Sequence, residues 1–467
     1  MSRWFHISLY FIYLDIKISL SSNLDRFHNR RHSVKPFQER LMSLSQGQFL
    51  PEDLMSEIKS RFHQVDHDHA GQKRLYFDNA GGAFRLKSVL ERLAELDAIP
   101  DNIERVHTVA RRLQDVQARG EADFRCLLNA KGGSIHAAQT ASSVMFDMVR
   151  AVAENVAGTN MVTTVLEHPS AFDAMSLYAQ RSGRELRVAQ SNPRTGGIDV
   201  DAIVQLIDQD TCLLNVICAS NISGAKLDLE EIVRRTRAIK PDLYILVDAV
   251  QHAPHGLIDL QRTPVDGINI APYKIFGVRG SGMAWLSDRA AVLPHHKLQG
   301  KNADAWGLGS GTPWQFAAMT EIVSYVCWLG GKFTDSRDRR DLFASGMTRI
   351  ELHERALLSR LLEGSGSVEG LRHIPKVKVH LDHPDLSKRD LIVMIDLGGL
   401  DCSEAVLEYE RRGVVVYQRT AASIYSKRML DSFGLGGGVR ISPLHVHTPE
   451  DIDVFLRVTA EMADALA

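Results

Sequence analysis

The chain has 467 residues, of which 44% are hydrophobic and 24% are charged. This composition is that of an ordinary globular protein, and the length allows a large apolar core and two or three domains. The formal net charge of -2 leaves no basic surplus to neutralise a phosphate backbone, which argues against a nucleic acid partner. The five cysteines are scattered and no pair has metal-site or redox spacing, so we expect no metal and a reducing, cytoplasmic compartment.

The segment 4–20 is apolar, as a signal peptide or membrane anchor would be. Charged residues interrupt it, however, and a membrane span needs about 20 apolar residues, so we expect no membrane association. We expect residues 1–45 to form an N-terminal extension without fixed structure. A segment typical of an enzyme start opens at Met42, and our hypothesis is that residues 1–41 are absent from the native protein.

From residue 75 to about residue 329, short β-branched runs alternate with stretches whose apolar residues have helical spacing. This alternation predicts a mainly parallel sheet with helices on both faces. The predicted strands are buried apolar runs at 161–165, 213–217, 243–247, 268–270 and 282–286. The clearest predicted helices of this region are 142–156 and 227–239.

After residue 331 the composition changes to a charged helical stretch, 335–362, with enough apolar residues for one buried stripe. We interpret this helix as the connector into a smaller C-terminal domain. The elements predicted there are three strands and a closing helix, at 390–397, 413–417, 439–442 and 449–466. The chain is therefore predicted to divide into a large domain with an N-terminal arm, residues 46–330, and a small domain, residues 331–467.

Two charged residues stand at the ends of predicted strands. Asp248 ends one apolar run, and Lys274 follows the next one after a short turn. A lysine amine at such a position can form a Schiff base, and a buried carboxylate nearby can keep a pyridinium nitrogen protonated. Each residue alone is weak evidence, because a buried aspartate is more often a cap or ion-pair partner and most lysines are solvated.

Ligands of open α/β sheets bind beyond the carboxyl ends of the strands. This rule selects His168, Asn221, Asp248 and Lys274 together. The small residues of segment 137–142 precede a predicted helix, whose N-terminus would attract a phosphate dianion. Simple helix capping by a hydroxyl of this segment is the alternative.

The order of these motifs resembles that of the class V aminotransferase fold family, which contains cysteine desulfurases, selenocysteine lyases and isopenicillin N epimerase-like enzymes. The resemblance covers about residues 72–465, and segment 76–82, Tyr-Phe-Asp-Asn-Ala-Gly-Gly, is similar to the family's opening strand and turn. It implies the α/β architecture of pyridoxal phosphate-dependent fold type I. That fold has a large domain with a mostly parallel seven-stranded sheet and a small C-terminal α+β domain.

The resemblance also implies a site for pyridoxal 5'-phosphate. The implied cofactor contacts are Ala138, Gln139, Thr140, His168, Asn221, Asp248, Gln251, Tyr273, Lys274 and Thr312. Lys274, His168 and Asp248 are the implied catalytic residues, with His168 expected to stack on the cofactor ring and assist proton transfer. Thr312 belongs to a Gly-Thr element that in this family reaches the phosphate of the neighbouring subunit, which implies a homodimer with shared active sites. A plain glycine-serine turn is the alternative at Thr312.

Substrate contacts are implied near the C-terminus. Arg440 opens an Arg-Ile-Ser-Pro element whose arginine binds the substrate α-carboxylate in the family, and its planar fork suits bidentate binding. Asn79 and Arg419 complete the expected substrate-binding set, and Arg419 is a pointer to aspartate-like or cysteine sulfinate-like side chains. The side-chain pocket is expected to be formed by Tyr273, Trp306, Arg419, Tyr425 and His445.

The chain departs from the desulfurases in three places. The loop 418–426, where they carry the cysteine that attacks the substrate sulfur, contains no cysteine. Tyr273 stands where they usually have histidine, and Ala271 where they usually have a serine that helps bind phosphate. These differences favour the lyase-like and epimerase-like branch.

We therefore expect an enzyme that acts on an amino acid through an external aldimine and an α-carbanion, with Lys274 removing the α-proton. The first expectation is a β-elimination lyase without a persulfide cysteine, either a desulfinase, a C–S lyase or a β-decarboxylase-like enzyme. Epimerisation is the second, with His168, Tyr417 or Tyr425 as the second acid. Transamination is the third, and a scaffold without catalytic activity is the alternative of another class.

Overall fold

The structure is a computed structural model that describes residues 47–100 and 103–466. The apolar segment 4–20 and the extension 1–45 lie outside the described residues. In the described part of the chain, no helix is long and apolar enough to cross a membrane.

Fifteen strands are present in the described residues: β1 Leu75–Tyr76, β2 Ser134–Ala138, β3 Asn160–Thr164, β4 Glu185–Ala189, β5 Thr211–Ile217, β6 Tyr244–Asp248, β7 Gly267–Ile270, β8 Gly282–Leu286, β9 Gly364–Ser365, β10 Val368–Glu369, β11 Val377–His380, β12 Val393–Leu397, β13 Val414–Val415, β14 Tyr417–Thr420 and β15 Gly437–Ile441. The helices described between residues 47 and 466 are α1 Glu52–Ser60, α2 Lys87–Asp97, α3 Thr108–Leu128, α4 Ala141–Asn155, α5 Pro169–Arg181, α6 Val200–Val204, α7 Leu229–Ile239, α8 Asp288–Ala291, α9 Pro313–Gly330, α10 Arg339–Glu363, α11 Cys402–Arg411, α12 Lys427–Phe433 and α13 Pro449–Asp464. Two 3₁₀ turns, Pro272–Lys274 and Leu386–Lys388, complete the set.

Seven strands form the central sheet, in the order β2-β8-β7-β6-β5-β3-β4. β8 is antiparallel to both of its neighbours, and the other pairs are parallel. All seven residues of β5 are buried, as are all five of β3 and all four of β7. Apolar residues fill these strands because helices cover both faces of such a sheet. The predicted fold class is confirmed.

The helix starts follow from capping side chains. Thr140 caps α4 by accepting a hydrogen bond from the backbone nitrogen of Ser143 at 3.0 Å. Asp338 caps α10 by accepting from the nitrogens of Arg340 and Asp341. The connecting helix therefore begins at Arg339, four residues later than predicted, because Asp338 satisfies the free N–H groups of a first turn.

The small C-terminal sheet is antiparallel, in the order β11-β12-β15-β14. The single strand predicted over 413–417 is divided between two sheets. β13 pairs in parallel with β1, whereas β14 pairs antiparallel with β15. The division arises because the N-terminal segment provides a hydrogen-bonding partner for β13 only, and beyond it the chain joins another strand.

The buried apolar residues fall into two main clusters that meet along α10. Phe343, Met347 and Ile350 belong to the core under the central sheet, and Leu357 and Leu361 belong to the core of the small sheet. One helix thus anchors both layers, as its single apolar stripe suggested. The domain boundary at residue 330 stays a prediction.

Candidate active site

A cavity of about 530 Å³ opens at the carboxyl edge of the central sheet. The ends of β5, β6 and β7, the turn before α4, the start of α5 and the segment between Lys274 and β8 surround it. The predicted site residues that it brings together are Gln139, Thr140, His168, Asn221, Asp248, Gln251, Tyr273 and Lys274.

Lys274 ends the 3₁₀ turn that follows β7, and its side chain is buried. Its Nζ atom donates hydrogen bonds to the carbonyl oxygen of Ala80 at 2.8 Å and to the side-chain oxygen of Gln251 at 3.3 Å. Burial lowers the pKa of this amine to about 7, and the nearby Arg440 guanidinium adds to the effect. A large fraction of the amine is therefore neutral, and hence nucleophilic, at neutral pH.

Asp248 is the last residue of β6 and is also buried. It lies beside Ile217 of β5 and Asn269 of β7 in the sheet register. Burial raises the pKa of the Asp248 carboxyl, while the backbone N–H of Val250, which it accepts at 3.0 Å, and the Lys274 amine oppose the rise. A carboxylate at the cavity floor can hold a ring nitrogen in its protonated form.

His168 caps α5, with its Nδ1 atom accepting the backbone N–H of Ser170 at 3.1 Å. This contact places the proton of the neutral ring on Nε2. Burial lowers the pKa of His168 to about 3, and the positive charges of Lys274 and Arg419 add to the effect. The ring is thus a neutral stacking surface, and the Tyr425 ring lies 6.2 Å from it.

The turn before α4 forms another wall of the cavity. Gly282, in the adjacent strand β8, packs so closely that a Cβ atom there would collide with the backbone nitrogen of Ala141. Thr140, Ala141 and Ser142 line the cavity, and the free N–H groups at a helix N-terminus bind anions. Thr140 also caps the helix. The structure is therefore compatible with both interpretations of this turn, phosphate binding and simple helix capping.

Arg440 lies in β15 with a buried guanidinium. Nη2 donates to Oδ1 of Asp78 at 2.6 Å and Nη1 donates to the carbonyl oxygen of Asn221 at 3.0 Å. Asn79 follows Asp78 and donates to the carbonyl oxygens of Tyr76 and Ser442. These contacts tie the N-terminal segment and the small sheet to the side of the cavity that carries Asn221.

Arg419 of β14 is buried as well, but no carboxylate of the described residues forms an ion pair with it. Its Nη2 atom donates to the carbonyl oxygen of Tyr425 at 2.9 Å, and its Nε atom has no partner among the described residues. Burial lowers the pKa of Arg419 to about 9, and Arg440 contributes to the shift. Of these two buried guanidinium groups, Arg440 forms an ion pair with Asp78, and Arg419 pairs with no carboxylate of the described residues.

Eight predicted site or pocket residues are not among those that line the cavity: Asn79, Ala138, Trp306, Thr312, Arg419, Tyr425, Arg440 and His445. Ala138 ends β2 behind the turn, and Thr312 precedes α9 without capping it. Trp306 packs against His295 with ring centroids 4.0 Å apart. His445 has no measurable exposure, and its Nε2 lies 2.7 Å from the Tyr325 hydroxyl. Trp306 and His445 are thus core residues, because the small-domain and loop packing turns them away from the strand ends.

Sequence reasoning missed three residues of the cavity wall: Ser170, Arg279 and Ser281. Arg279 and Ser281 flank Gly280 in the segment that leads from Lys274 to β8. A serine between glycines is typical of a turn, so local sequence gives little reason to select it.

The residues present fit the expected pyridoxal phosphate. The buried atoms Asn221 Oδ1 and Ser281 Oγ have no hydrogen-bond partner among the described residues. Both side chains line the cavity. The Lys274 amine, the buried Asp248 carboxyl and the first turn of α4 line the same cavity. For comparison, no group of three or more histidine, cysteine or acidic side chains in the described residues has a metal-binding arrangement.

The family model for class V aminotransferases matches residues 75–455. A probable cysteine desulfurase of Streptomyces coelicolor is 24% identical over 418 residues, which are 85% of this chain and 94% of the relative. A cysteine desulfurase of Cronobacter sakazakii is 25% identical over 68% of this chain and 79% of that protein.

Two solved structures share the fold. A cysteine desulfurase of Escherichia coli has a TM-score of 0.73 at 17% identity and covers 88% of this chain and 99% of its own. A cysteine desulfurase of Thermococcus onnurineus has a TM-score of 0.72 at 19% identity and covers 84% of this chain and 95% of its own. The resemblance drawn from the motifs is confirmed.

Proposed function

The chain belongs to the class V aminotransferase family, and from this premise we propose that it is a pyridoxal 5'-phosphate-dependent enzyme acting on amino acids. The specific activity proposed is β-elimination: loss of the α-proton and of a β-substituent without a persulfide-forming cysteine. The observation that carries the proposal is the buried Lys274 amine, with its pKa lowered to about 7, in the same cavity as the buried Asp248 carboxylate.

When bound, the cofactor supplies an aldehyde that links to an amine and a protonated ring that stabilises negative charge at the substrate's α-carbon. Asp248 would hold the ring nitrogen, and the first turn of α4 would hold the phosphate. His168, neutral and fixed by Ser170, would stack on the ring.

Lys274 is the general base in this proposal. Its amine takes the proton from the substrate's α-carbon, for which an amine pKa near the operating pH is well suited. A thiolate or selenolate β-substituent then leaves with the electron pair of its bond to carbon, and hydrolysis of the organic product yields a keto acid and ammonia beside the released β-group. A sulfinate or carboxylate leaves instead as sulfur dioxide or carbon dioxide, its bonding pair stays on the β-carbon, and protonation there yields alanine.

We expect the two buried arginines, Arg440 and Arg419, to orient the substrate. Arg440 would bind the α-carboxylate, in exchange for part of its present contact with Asp78. Asn79, which stands next to Asp78, holds this segment against β15 through Ser442. Arg419 would face the β-substituent, and its unpaired charge supports acidic groups such as a sulfinate or carboxylate.

The thiols support a mechanism without an attacking cysteine. Burial raises the pKa of all five cysteines, which disfavours the thiolate form that attacks sulfur. Cys402 comes near the substrate side, where its Sγ lies 3.9 Å from the carbonyl oxygen of Arg419. All five are free thiols, which also supports the expected reducing, cytoplasmic compartment.

Epimerisation is the second candidate, and the position of Tyr425 favours it. Tyr425 is exposed and its ring lies 6.2 Å from that of His168. It could return a proton to the substrate, whereas His168, with a pKa of about 3, is not charged at neutral pH. In that case Tyr425→Phe would abolish inversion at the α-carbon and leave solvent exchange of the α-proton in place.

A homodimer with shared active sites is part of the proposal. Thr312 lies outside the cavity of its own chain and its side chain does not cap α9, which leaves it available to a second copy. Chains carrying Lys274→Ala or Thr312→Val would be mixed to test this. If sites are shared, mixed dimers regain one intact site, so about a quarter of wild-type activity returns; no gain over the separate variants would contradict the sharing.

The activity test uses the cofactor-loaded protein and a panel of amino acids that includes cysteine sulfinate, aspartate and selenocysteine. Keto acid, alanine and the released β-group are followed together. Equimolar keto acid and β-group establish β-elimination and identify the leaving group, and equimolar alanine and β-group establish loss of a sulfinate or carboxylate group. Deuterium exchange at the α-carbon without any of these products establishes an epimerase. A protein that takes up no pyridoxal phosphate would overturn both candidates in favour of a scaffold.

A further inference from the structure

Ser281 lies at the cavity without a hydrogen-bonding role in the described part of the chain. It is 2% exposed, and its Oγ atom has no partner among the described residues. A buried hydroxyl without a partner is unfavourable, and native proteins keep few of them. The next residue, Gly282, packs against Ala141, so Ser281 lies beside the first turn of α4.

Arg279 brings a positive charge to the same wall. Its guanidinium lies 4.3 Å from the centre of the Tyr273 ring, and no carboxylate of residues 47–100 and 103–466 pairs with it. Arg85 is its neighbour: a Cβ atom at Gly82 would lie 3.3 Å from Nη2 of Arg279 and 3.7 Å from Nη2 of Arg85. Burial lowers the pKa of Arg85, and the charge of Arg279 lowers it further. An anion at this place would relieve the repulsion.

The other side chains near the N-terminus of α4 provide few donors for a phosphate. Ala271, in the cavity wall before Lys274, has no polar side chain. The hydroxyl of Thr140 already accepts the N–H of Ser143 and lies 2.8 Å from the Ser143 hydroxyl. A phosphate dianion at the N-terminus of α4 would thus meet backbone N–H groups but no cation from that turn.

We propose that Arg279 and Ser281 bind the 5'-phosphate of the cofactor against the N-terminus of α4, taking the place of the side chains that Ala271 and Tyr273 do not supply. This inference rests on the proposed use of pyridoxal phosphate. Arg279 provides a charge-assisted hydrogen bond from its fork, and Ser281 provides the hydroxyl donor. Arg85 is not part of the proposed phosphate site. Its Nη1 atom donates to the carbonyl oxygen of Tyr273 at 2.8 Å and so holds the 3₁₀ turn Pro272–Lys274.

The test compares two ligands that differ only in the phosphate. Cofactor-free protein is titrated with pyridoxal 5'-phosphate and with pyridoxal, and the absorbance of the lysine adduct gives each Kd. For Arg279→Gln the pyridoxal phosphate Kd is expected to rise about 10- to 100-fold, and for Ser281→Ala about 2- to 10-fold, with the pyridoxal Kd unchanged. Arg279→Lys is expected to recover part of the loss.

Two control variants remove similar groups elsewhere. Arg111→Gln removes an exposed arginine of α3, and Thr320→Val removes a buried hydroxyl of α9 that also has no partner among the described residues. Both are expected to keep the wild-type ratio of the two Kd values. Thermal unfolding of each variant with and without inorganic phosphate is a second readout, with the phosphate stabilisation lost only in the Arg279 and Ser281 variants.

The proposal is overturned if Arg279→Gln and Ser281→Ala keep the wild-type ratio of pyridoxal to pyridoxal phosphate affinity. This includes the case in which both variants bind both ligands more weakly by the same factor, because that result shows a purely structural role. If the wild-type protein forms no adduct with either ligand, the proposed function itself fails, and the two failures are thereby distinguished.

Discussion

Two of the regions in which charged side chains are buried, around Lys274 and around Glu354, differ in how the charges are paired. Glu354 of α10 lies 2.6 Å from Nδ1 of His255 and accepts the backbone N–H of His445 at 3.0 Å. Burial lowers the pKa of His255, but Glu354 more than offsets this and raises it. Lys274, in contrast, donates only to two uncharged oxygens.

Burial of an ionisable group therefore does not by itself indicate a catalytic site. At Glu354 each charge has a partner of opposite sign, and the pair joins the segment after β6 to α10. At Lys274 a cavity adjoins the amine, and the Asn221 Oδ1 and Ser281 Oγ atoms of its wall have no partner among the described residues. The Arg419 guanidinium pairs with no carboxylate of the described residues. Unpaired groups that share a cavity are available to a ligand, whereas paired groups stabilise the fold.

The largest effect is expected from Lys274→Ala. Loss of the amine removes the covalent link to the cofactor and the group that takes the α-proton, so β-group release should fall by roughly 10²–10⁴-fold. Borohydride reduction followed by mass spectrometry would show no cofactor-labelled peptide. Lys226→Ala, which removes a lysine paired with Glu351 near the second region, should retain the label and activity. Equal losses in the two variants would contradict the distinction.

The second prediction concerns Glu354→Ala. Removing one partner leaves His255 buried without its counter-charge, which should lower the free energy of unfolding by about 3–5 kcal/mol. Chemical denaturation monitored by tryptophan fluorescence measures the change. The folded fraction should still form the lysine adduct with pyridoxal phosphate, and failure to form it would place Glu354 in the active site instead.

The pH dependence of cofactor capture distinguishes the two regions further. With the Lys274 pKa at about 7, the neutral fraction of the amine, and hence the rate, should rise about tenfold per pH unit below pH 7 and level off above it. Stopped-flow absorbance of adduct formation gives this profile. N-acetyl-lysine amide in solution, with an ordinary amine pKa, should continue to gain rate up to about pH 10. Parallel profiles for protein and model amine would show that burial does not lower the pKa.

The smallest effect is expected from Cys402→Ser. Its thiol approaches the backbone of Arg419, but burial raises its pKa and Asp401 adds to the rise. Release of the β-group should change by less than about threefold. A loss of sulfur transfer as large as that of Lys274→Ala would show that Cys402 attacks the substrate and would replace the lyase proposal with a desulfurase mechanism.

Much of the fold was predictable because its signals are local. Buried apolar runs identified β3, β5, β6, β7 and β8, with ends that differ by two residues at most and, for β8, not at all. Asp248 and Lys274 could be selected because the carboxyl ends of parallel strands share one edge of a sheet. The start of α10 was placed early because several acidic residues compete to cap it, and only packing selects Asp338.

Contacts between distant segments were not predictable from spacing. Asp78 and Arg440 pair across 362 positions, and Lys274 reaches Ala80 across 194. Ser281 was missed because its sequence surroundings are those of a turn, and only packing of Gly282 against α4 buries it. His445 was placed in the substrate pocket because it follows Arg440 closely, although the chain carries it into the core beside Tyr325.

The motifs of the sequence carried the resemblance to the family. Separately, the sequence alone was enough to order the main strands and helices of the central sheet and to select the residues at the carboxyl ends of its strands. It could do so because hydrophobic periodicity and strand-end chemistry are properties of neighbouring residues. The tertiary structure alone decided which of those groups are buried, which are paired and which face the cavity. Burial and pairing depend on segments far apart in the chain. They lower the pKa of Lys274, and in the described part of the chain they leave the Ser281 hydroxyl without a hydrogen-bond partner and the Arg419 guanidinium without a carboxylate partner.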